Sequence, residues 1–137
     1  MTVAREIMTP DARCVGENET LVDAARLMAS LDVGALPICG EDKRLKGMVT
    51  DRDIVVKCLA EGGDPASTTA GSLGSGKPVT IGADDDIEVA LEMMKRHQVR
   101  RLPVIDGHDL VGIISQADIA LSLSASDVGE TVAEISE

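Results

Sequence analysis

The stretch Leu36-Pro37-Ile38-Cys39, followed by Gly47-Met48-Val49-Thr50-Asp51-Arg52-Asp53-Ile54, occurs twice in this chain. It returns as Leu102-Pro103-Val104-Ile105, followed by Gly112-Ile113-Ile114-Ser115-Gln116-Ala117-Asp118-Ile119. Pro37 and Pro103 stand 66 residues apart, whereas Gly47 and Gly112, and then Asp53 and Asp118, stand 65 apart. One residue is therefore lost in the intervening turn, after which the register holds. Self-similarity at a fixed period sets the architecture before any local assignment, because each copy is one supersecondary unit.

The repeat continues upstream. Leu21, Ala24, Ala25 and Met28 are matched by Ile87, Ala90, Leu91 and Met94, and both sets keep the i, i+3, i+4, i+7 spacing of one buried helix face. Val15 matches Ile81 in a short apolar run before each helix, and Val33 matches Val99. Each unit therefore reads as a short strand, an amphipathic helix, a strand through the Leu-Pro turn, a partner strand and a second helix near the aspartate. The fold class is α/β (α+β), with two tandem β-α-β-β-α units.

In chain order, Val3, Ile7 and Met8 predict one helical turn ending near Pro10. Cys14–Gly16 is the first strand, and Thr20 with Asp23 forms a capping box for a helix to about Leu31. Strands over Ala35–Cys39 and Leu45–Thr50 flank a polar turn, and a helix covers about Arg52–Ala60. Unit two repeats this with strand Val79–Ile81, N-cap Asp86, helix Ile87–His97, a turn at Asp106–Asp109 and a helix from about Gln116. The boundaries are residues 3–61 for the first repeat, a Gly/Ser/Thr/Pro-rich linker over 62–78, and 79–122 for the second, whose lead-in is 69–73. Residues 123–137 form an acidic tail.

One unit alone has about 60 residues, near the lower limit for independent stability, so the two are expected to share a core. No apolar run approaches the roughly 18 residues that cross a bilayer. The N-terminus, with Arg5 and Glu6, lacks an apolar signal-peptide core, which points to the cytoplasm and to no membrane partner. A net charge of −11 disfavours nucleic acid, which demands a cationic surface, but it does not exclude a small anion held by a few placed donors. Phe, Tyr and Trp are absent, so a planar ligand would be held by aliphatic side chains and backbone.

Two copies of LP[IV] plus G-apolar-apolar-[TS]-x-x-D-I, in matching order, make the chain resemble a pair of cystathionine-β-synthase (CBS) domains, or Bateman module. The likeness covers about residues 3–122 and extends to small stand-alone bacterial CBS-pair proteins. It implies two units with pseudo-twofold symmetry in one compact module, clefts between them, and a homodimer. It also implies an adenine nucleotide or adenosyl compound in those clefts: AMP, ADP, ATP or S-adenosylmethionine. No cofactor is required. The output would pass to an unknown downstream protein.

The residues give this reading a chemistry. Thr50 with Asp53, and Ser115 with Asp118, place a hydroxyl and a carboxylate three apart at a strand-to-helix junction, on one helix face. A carboxylate there can accept two hydrogen bonds from a ribose diol. The same pairs are also ordinary N-cap chemistry that needs no ligand, and the two roles can coexist. Val15, Ala35, Leu36 and Pro37, with Ile81, Leu102 and Pro103, are the expected pocket wall, where backbone before the prolines can read a base edge. Arg52, Arg100 and Arg101 are unevenly placed between the copies, which makes them phosphate ligands or solvated surface residues.

The remaining candidates are weaker. His97 and His108 lack metal-ligand spacing, and no metal is expected. Cys14 and Cys39 end two strands that can be neighbours, so they are either a redox-sensitive disulfide or two buried thiols; Cys58 belongs to a core helix face. No nucleophile with a base, Walker loop or catalytic carboxylate pair is present, so the chain is not read as an enzyme. The function expected is a regulatory small-ligand-binding module; the alternative is a ligand-free dimeric scaffold or a stress-response protein with redox-sensitive cysteines.

Overall fold

The chain enters through helix α1 (Ala4–Ile7) and strand β1 (Thr9–Pro10). The computed structural model describes residues 2–74 and 78–122; the expected tail over 123–137 and linker residues 75–77 lie outside the described residues. The first repeat follows as β2 (Val15–Gly16), α2 (Leu21–Leu31), β3 (Ala35–Cys39), β4 (Leu45–Thr50) and α3 (Asp51–Asp53), which runs on as a π-helix over Ile54–Leu59. After α4 (Ala70–Leu73) the second repeat is β5 (Ile81–Gly82), α5 (Ile87–His97), β6 (Arg101–Asp106), β7 (Asp109–Ser115) and α6 (Gln116–Ala120).

The helices begin and end for local reasons. Thr20 Oγ1 accepts from the Asp23 N–H at 3.2 Å while Asp23 Oδ2 accepts from the Thr20 N–H at 3.2 Å, which closes the expected capping box on α2. Asp86 caps α5 by accepting from the Glu88 N–H. Both helices stop on a non-glycine residue in the left-handed region, Asp32 at φ 55° and Gln98 at φ 53°. Glycine takes that conformation without a Cβ clash, so Asp32→Gly and Gln98→Gly should each stabilise their unit by about 0.5–1 kcal/mol in urea denaturation.

Three local expectations change. The strand expected at Val79 starts only at Ile81, since just Ile81 and Gly82 pair with β6. Ala25 is exposed, leaving Leu21, Ala24 and Met28 as the buried stripe of α2. The second helix widens to a π-turn, with the Ala60 N–H bonding the Val55 carbonyl at 2.9 Å. Ile54, Val55 and Val56 are successive β-branched residues that crowd an α-helical turn.

The described residues divide into two units, one within 13–78 and the other made of 2–12 with 79–122. The first holds the sheet β2-β3-β4, with β2 parallel and β4 antiparallel to β3. The second holds β1-β7-β6-β5. The registers agree between copies: Leu36 faces Val49 and Leu102 faces Ile114, with an irregularity after Ile38 in one and after Val104 in the other. Each unit has its own core. One is built on Val15, Leu21, Leu36, Ile38 and Val49, the other on Ile81, Ile87, Met94, Leu102, Val104 and Ile114.

The lead-ins are exchanged. Ala4 of α1, which precedes the first repeat, is fully buried in the second repeat's core, and Ala70 and Leu73 of α4 join the first repeat's core. The hydrogen bonds match pair by pair. Ala4 and Arg5 donate to the Asp85 and Ala83 carbonyls, as Ala70 and Gly71 donate to those of Glu19 and Glu17. Ile87 donates to the Thr2 carbonyl and Leu21 to that of Thr68. In space, residues up to 12 therefore pack with the second repeat, and 69–73 with the first. Both repeats offer equivalent carbonyls, so the repeat offset alone does not say which copy a lead-in joins.

Gly112 shows how closely β1 is seated. A Cβ there would lie 2.6 Å from the Thr9 carbonyl oxygen and 2.6 Å from Met8 Sδ, whereas at the matching Gly47 the nearest atom would be 3.5 Å away. Gly112→Ala should therefore destabilise its unit by about 1–3 kcal/mol in urea denaturation, with Gly47→Ala close to neutral.

Candidate functional site

At the end of each antiparallel strand pair the chain turns straight into a helix, and the two expected hydroxyl–carboxylate pairs sit at those turns. Thr50 Oγ1 accepts from the Asp53 N–H at 3.0 Å, and Asp53 Oδ2 accepts from the Thr50 N–H at 3.0 Å. Ser115 Oγ accepts from the Asp118 N–H at 3.1 Å, and Asp118 Oδ2 accepts from the Ser115 N–H at 2.9 Å. Both are closed capping boxes, so the capping reading describes what these side chains do in the protein alone. Each hydroxyl hydrogen is still free to donate, because each oxygen acts only as an acceptor in its box.

The second carboxylate oxygens differ. Asp53 Oδ1 lies 3.4 Å from Lys57 Nζ, while among the described residues Asp118 Oδ1 has no partner. All four residues of the two boxes are half-buried. The Asp118 box therefore keeps more accepting capacity for an outside donor.

Each box is pinned to the start of the Leu-Pro strand. The Asp51 N–H donates to the Gly34 carbonyl at 2.9 Å, and the Gln116 N–H to the Arg100 carbonyl at 3.0 Å. Strand β2 reaches only Ile38 and Cys39 of β3, and β5 only Val104 and Ile105 of β6. On that edge Ala35–Pro37 and Arg101–Pro103 have no neighbouring strand among the described residues. Leu36, Pro37, Leu102 and Pro103 are nevertheless closed to solvent, so on these stretches only Ala35 and Arg101 are open to an outside partner.

The expected pocket wall divides. Val15, Leu36, Ile81 and Leu102 are core residues whose side chains are consumed inside their units. Pro37 and Pro103 are fully buried without belonging to either core, and Ala35 is half-buried. The four core residues are closed to solvent as whole residues, backbone included. Strand alternation explains this, since Leu36 and Ile38 face one side and Ala35, Pro37 and Cys39 the other.

Arg52, Arg100 and Arg101 are exposed, and among the described residues none forms an ion pair. Arg101 stands directly across the ladder from Ser115, and Arg100 holds Gln116 through its carbonyl. Arg100 and Arg101 thus adjoin the second box, whereas at the first Arg52 lies within the box and Lys57 is paired with its aspartate.

Cys14 and Cys39 are joined as a disulfide, with Cα atoms 6.0 Å apart. The bridge fastens β2 to β3, which pair at only two positions. The matching positions in the second repeat are Thr80 and Ile105, so that copy has no counterpart. Cys58 is buried, its Sγ 3.9 Å from Thr68 Oγ1. His97 and His108 are exposed on different elements. Among the described residues no three His, Cys, Asp or Glu side chains gather as a metal site.

One feature escaped the sequence. A polar depression of about 280 Å³ opens in the first unit, lined by Glu17, Asn18, Lys46, Thr69, Ser72 and Gly74. None of the expected site residues lines it. Half of its rim is the segment read as linker, whose docking only the fold reveals. Lys46 Nζ is 3.2 Å from Asp42 Oδ2 beside it. The Arg44 N–H, donating to Asp42 Oδ1 at 3.0 Å, holds the Asp42 carboxyl below its ordinary range, with Lys46 adding to the effect.

The family model for the CBS domain matches residues 4–59 and 70–125. The chain belongs to the CBS-domain family. Among curated CBS-domain relatives, Hypoxic response protein 1 of Mycobacterium tuberculosis is 54% identical over 123 residues, covering 90% of this chain and 86% of that protein. The CBS domain-containing protein YhcV of Bacillus subtilis is 36% identical over 137 residues, covering 99% and 96%. Among solved structures, Hypoxic Response Protein I with two coordinated zinc ions superposes with a TM-score of 0.84 at 54% identity, covering 90% of this chain and all of that one. A CBS domain protein of Pyrobaculum aerophilum complexed with AMP superposes with a TM-score of 0.76 at 25% identity, covering 96% and 99%. Among the described residues of this CBS-domain protein, no helix is long and apolar enough to cross a membrane.

Proposed function

We propose that this CBS-domain pair is a cytoplasmic regulatory module that binds an adenine nucleotide or adenosyl compound at its strand-to-helix boxes and passes the signal to another protein. The observation that carries this is the Ser115–Asp118 box: a hydroxyl that only accepts within the box, a carboxylate oxygen without a partner among the described residues, and Arg100 and Arg101 exposed at the same junction. A ribose diol suits the carboxylate, a phosphate suits Arg100 or Arg101, and a base edge suits the backbone before Pro103. The AMP complex of the Pyrobaculum relative supports this ligand class.

A second reading has its own support. Val55, Val56 and Leu59 expose an apolar face on the π-helix, which suits a homodimer or a ligand-free scaffold.

A thermal-shift series separates the two. A ligand that binds only the native state stabilises it by about 2.7 kcal/mol at a hundredfold excess over Kd, a rise of several degrees in a chain this size. AMP, ADP, ATP and S-adenosylmethionine should include at least one that raises Tm in the wild type and not in Asp118→Ala, with Asp53→Ala less affected. No shift with any of the four supports the scaffold reading.

A further inference from the structure

Gln116 is the first residue of α6 and sits inside the second box, between Ser115 and Asp118. Its side-chain Oε1 is buried and has no hydrogen-bond partner, the one such side-chain atom among the described residues. A buried acceptor left without a donor is costly, and native proteins rarely leave one unexplained. The matching residue of the first repeat does not share the problem. Asp51 is exposed and its Oδ1 accepts from the Arg52 N–H at 2.8 Å. The two residues have the same backbone anchor, to the carbonyl of Arg100 or of Gly34. The difference therefore lies in the side chain: the second repeat carries a neutral carboxamide whose acceptor awaits a donor.

We infer that Gln116 Oε1 receives a hydrogen bond from the exocyclic amino group of the bound ligand's base, making Gln116 a specificity-determining residue of the second repeat. This rests on the nucleotide reading above and assigns it a base preference. Gln116 is tied by its N–H to the Arg100 carbonyl at the start of the strand leading into Leu102-Pro103, and it lies in sequence within the box proposed for the ribose. A carboxamide oxygen accepts from an amino group and gains nothing from a base that has only hydrogen there. The geometry selects an amino-purine nucleoside over its deaminated counterpart.

The test is calorimetric titration with AMP and with purine riboside monophosphate, which lacks only the 6-amino group. Wild type should prefer AMP by about tenfold, the factor equivalent to one hydrogen bond of about 1.4 kcal/mol. Gln116→Leu should abolish that preference by weakening AMP alone, and should raise the melting temperature of the free protein by removing the orphaned oxygen. Gln116→Glu keeps an acceptor and should retain the preference. An undiminished preference in Gln116→Leu overturns the assignment while leaving the nucleotide reading intact. Wild type that binds neither nucleotide overturns both.

Discussion

Replacing Cys14 and Cys39 together by alanine should lower the stability of the first unit by about 3.5 kcal/mol, the loop-closure value for a bridge spanning 25 residues. The effect is large because little else holds the edge. Strand β2 has two residues and pairs with β3 only at Val15–Ile38 and Gly16–Cys39. The bridge closes the loop that contains α2, so its loss frees that whole segment in the unfolded state. Urea denaturation with and without reductant measures this. The wild type should lose the same increment on reduction, and the double alanine variant should ignore reductant. Hydrogen exchange should rise in β2 and β3 while β5 and β6, which have no bridge, stay protected. Equal midpoints for reduced and oxidised wild type would show that the bridge carries no stability.

Ala4→Asp should cost at least about 3 kcal/mol, because it places an unpaired charge in a site with no solvent access. The informative result is where the damage falls. Ala4 belongs to the second repeat's core, so amide protection should collapse across β6 and β7 and persist across β3 and β4. Ala70→Asp should do the opposite, since Ala70 lies in the first repeat's core. Loss of protection in β3 and β4 on Ala4→Asp would refute the exchange of lead-ins.

The repeat made most of the fold legible. Hydrophobic spacing located α2 and α5, the Thr20 box and Asp86 located their starts, and the Leu-Pro strands fell at their expected residues because burial and alternation are written into local sequence. What stayed hidden was non-local. Nothing in Val3–Pro10 distinguishes its docking partner, because residues 83–87 and 17–21 offer the same backbone groups. The π-turn was hidden too, since Ile54, Val55 and Val56 fit either helix by periodicity. At the site, the hydroxyl and carboxylate pairs were visible as spacing, but their difference was not. It depends on Lys57 reaching Asp53 in one copy and on a buried glutamine oxygen in the other. Val15, Leu36, Ile81 and Leu102 lie in the cores of their units, and an apolar residue beside a site and an apolar residue beneath it have the same letters.

A crystal structure of the protein grown with AMP bears most directly on the nucleotide reading. The ribose hydroxyls should lie within about 3 Å of the Asp118 carboxylate, with the phosphate at Arg100 or Arg101 and the base against the backbone before Pro103. AMP bound away from both Asp118 and Asp53, or absent from crystals soaked at saturating concentration, would contradict it.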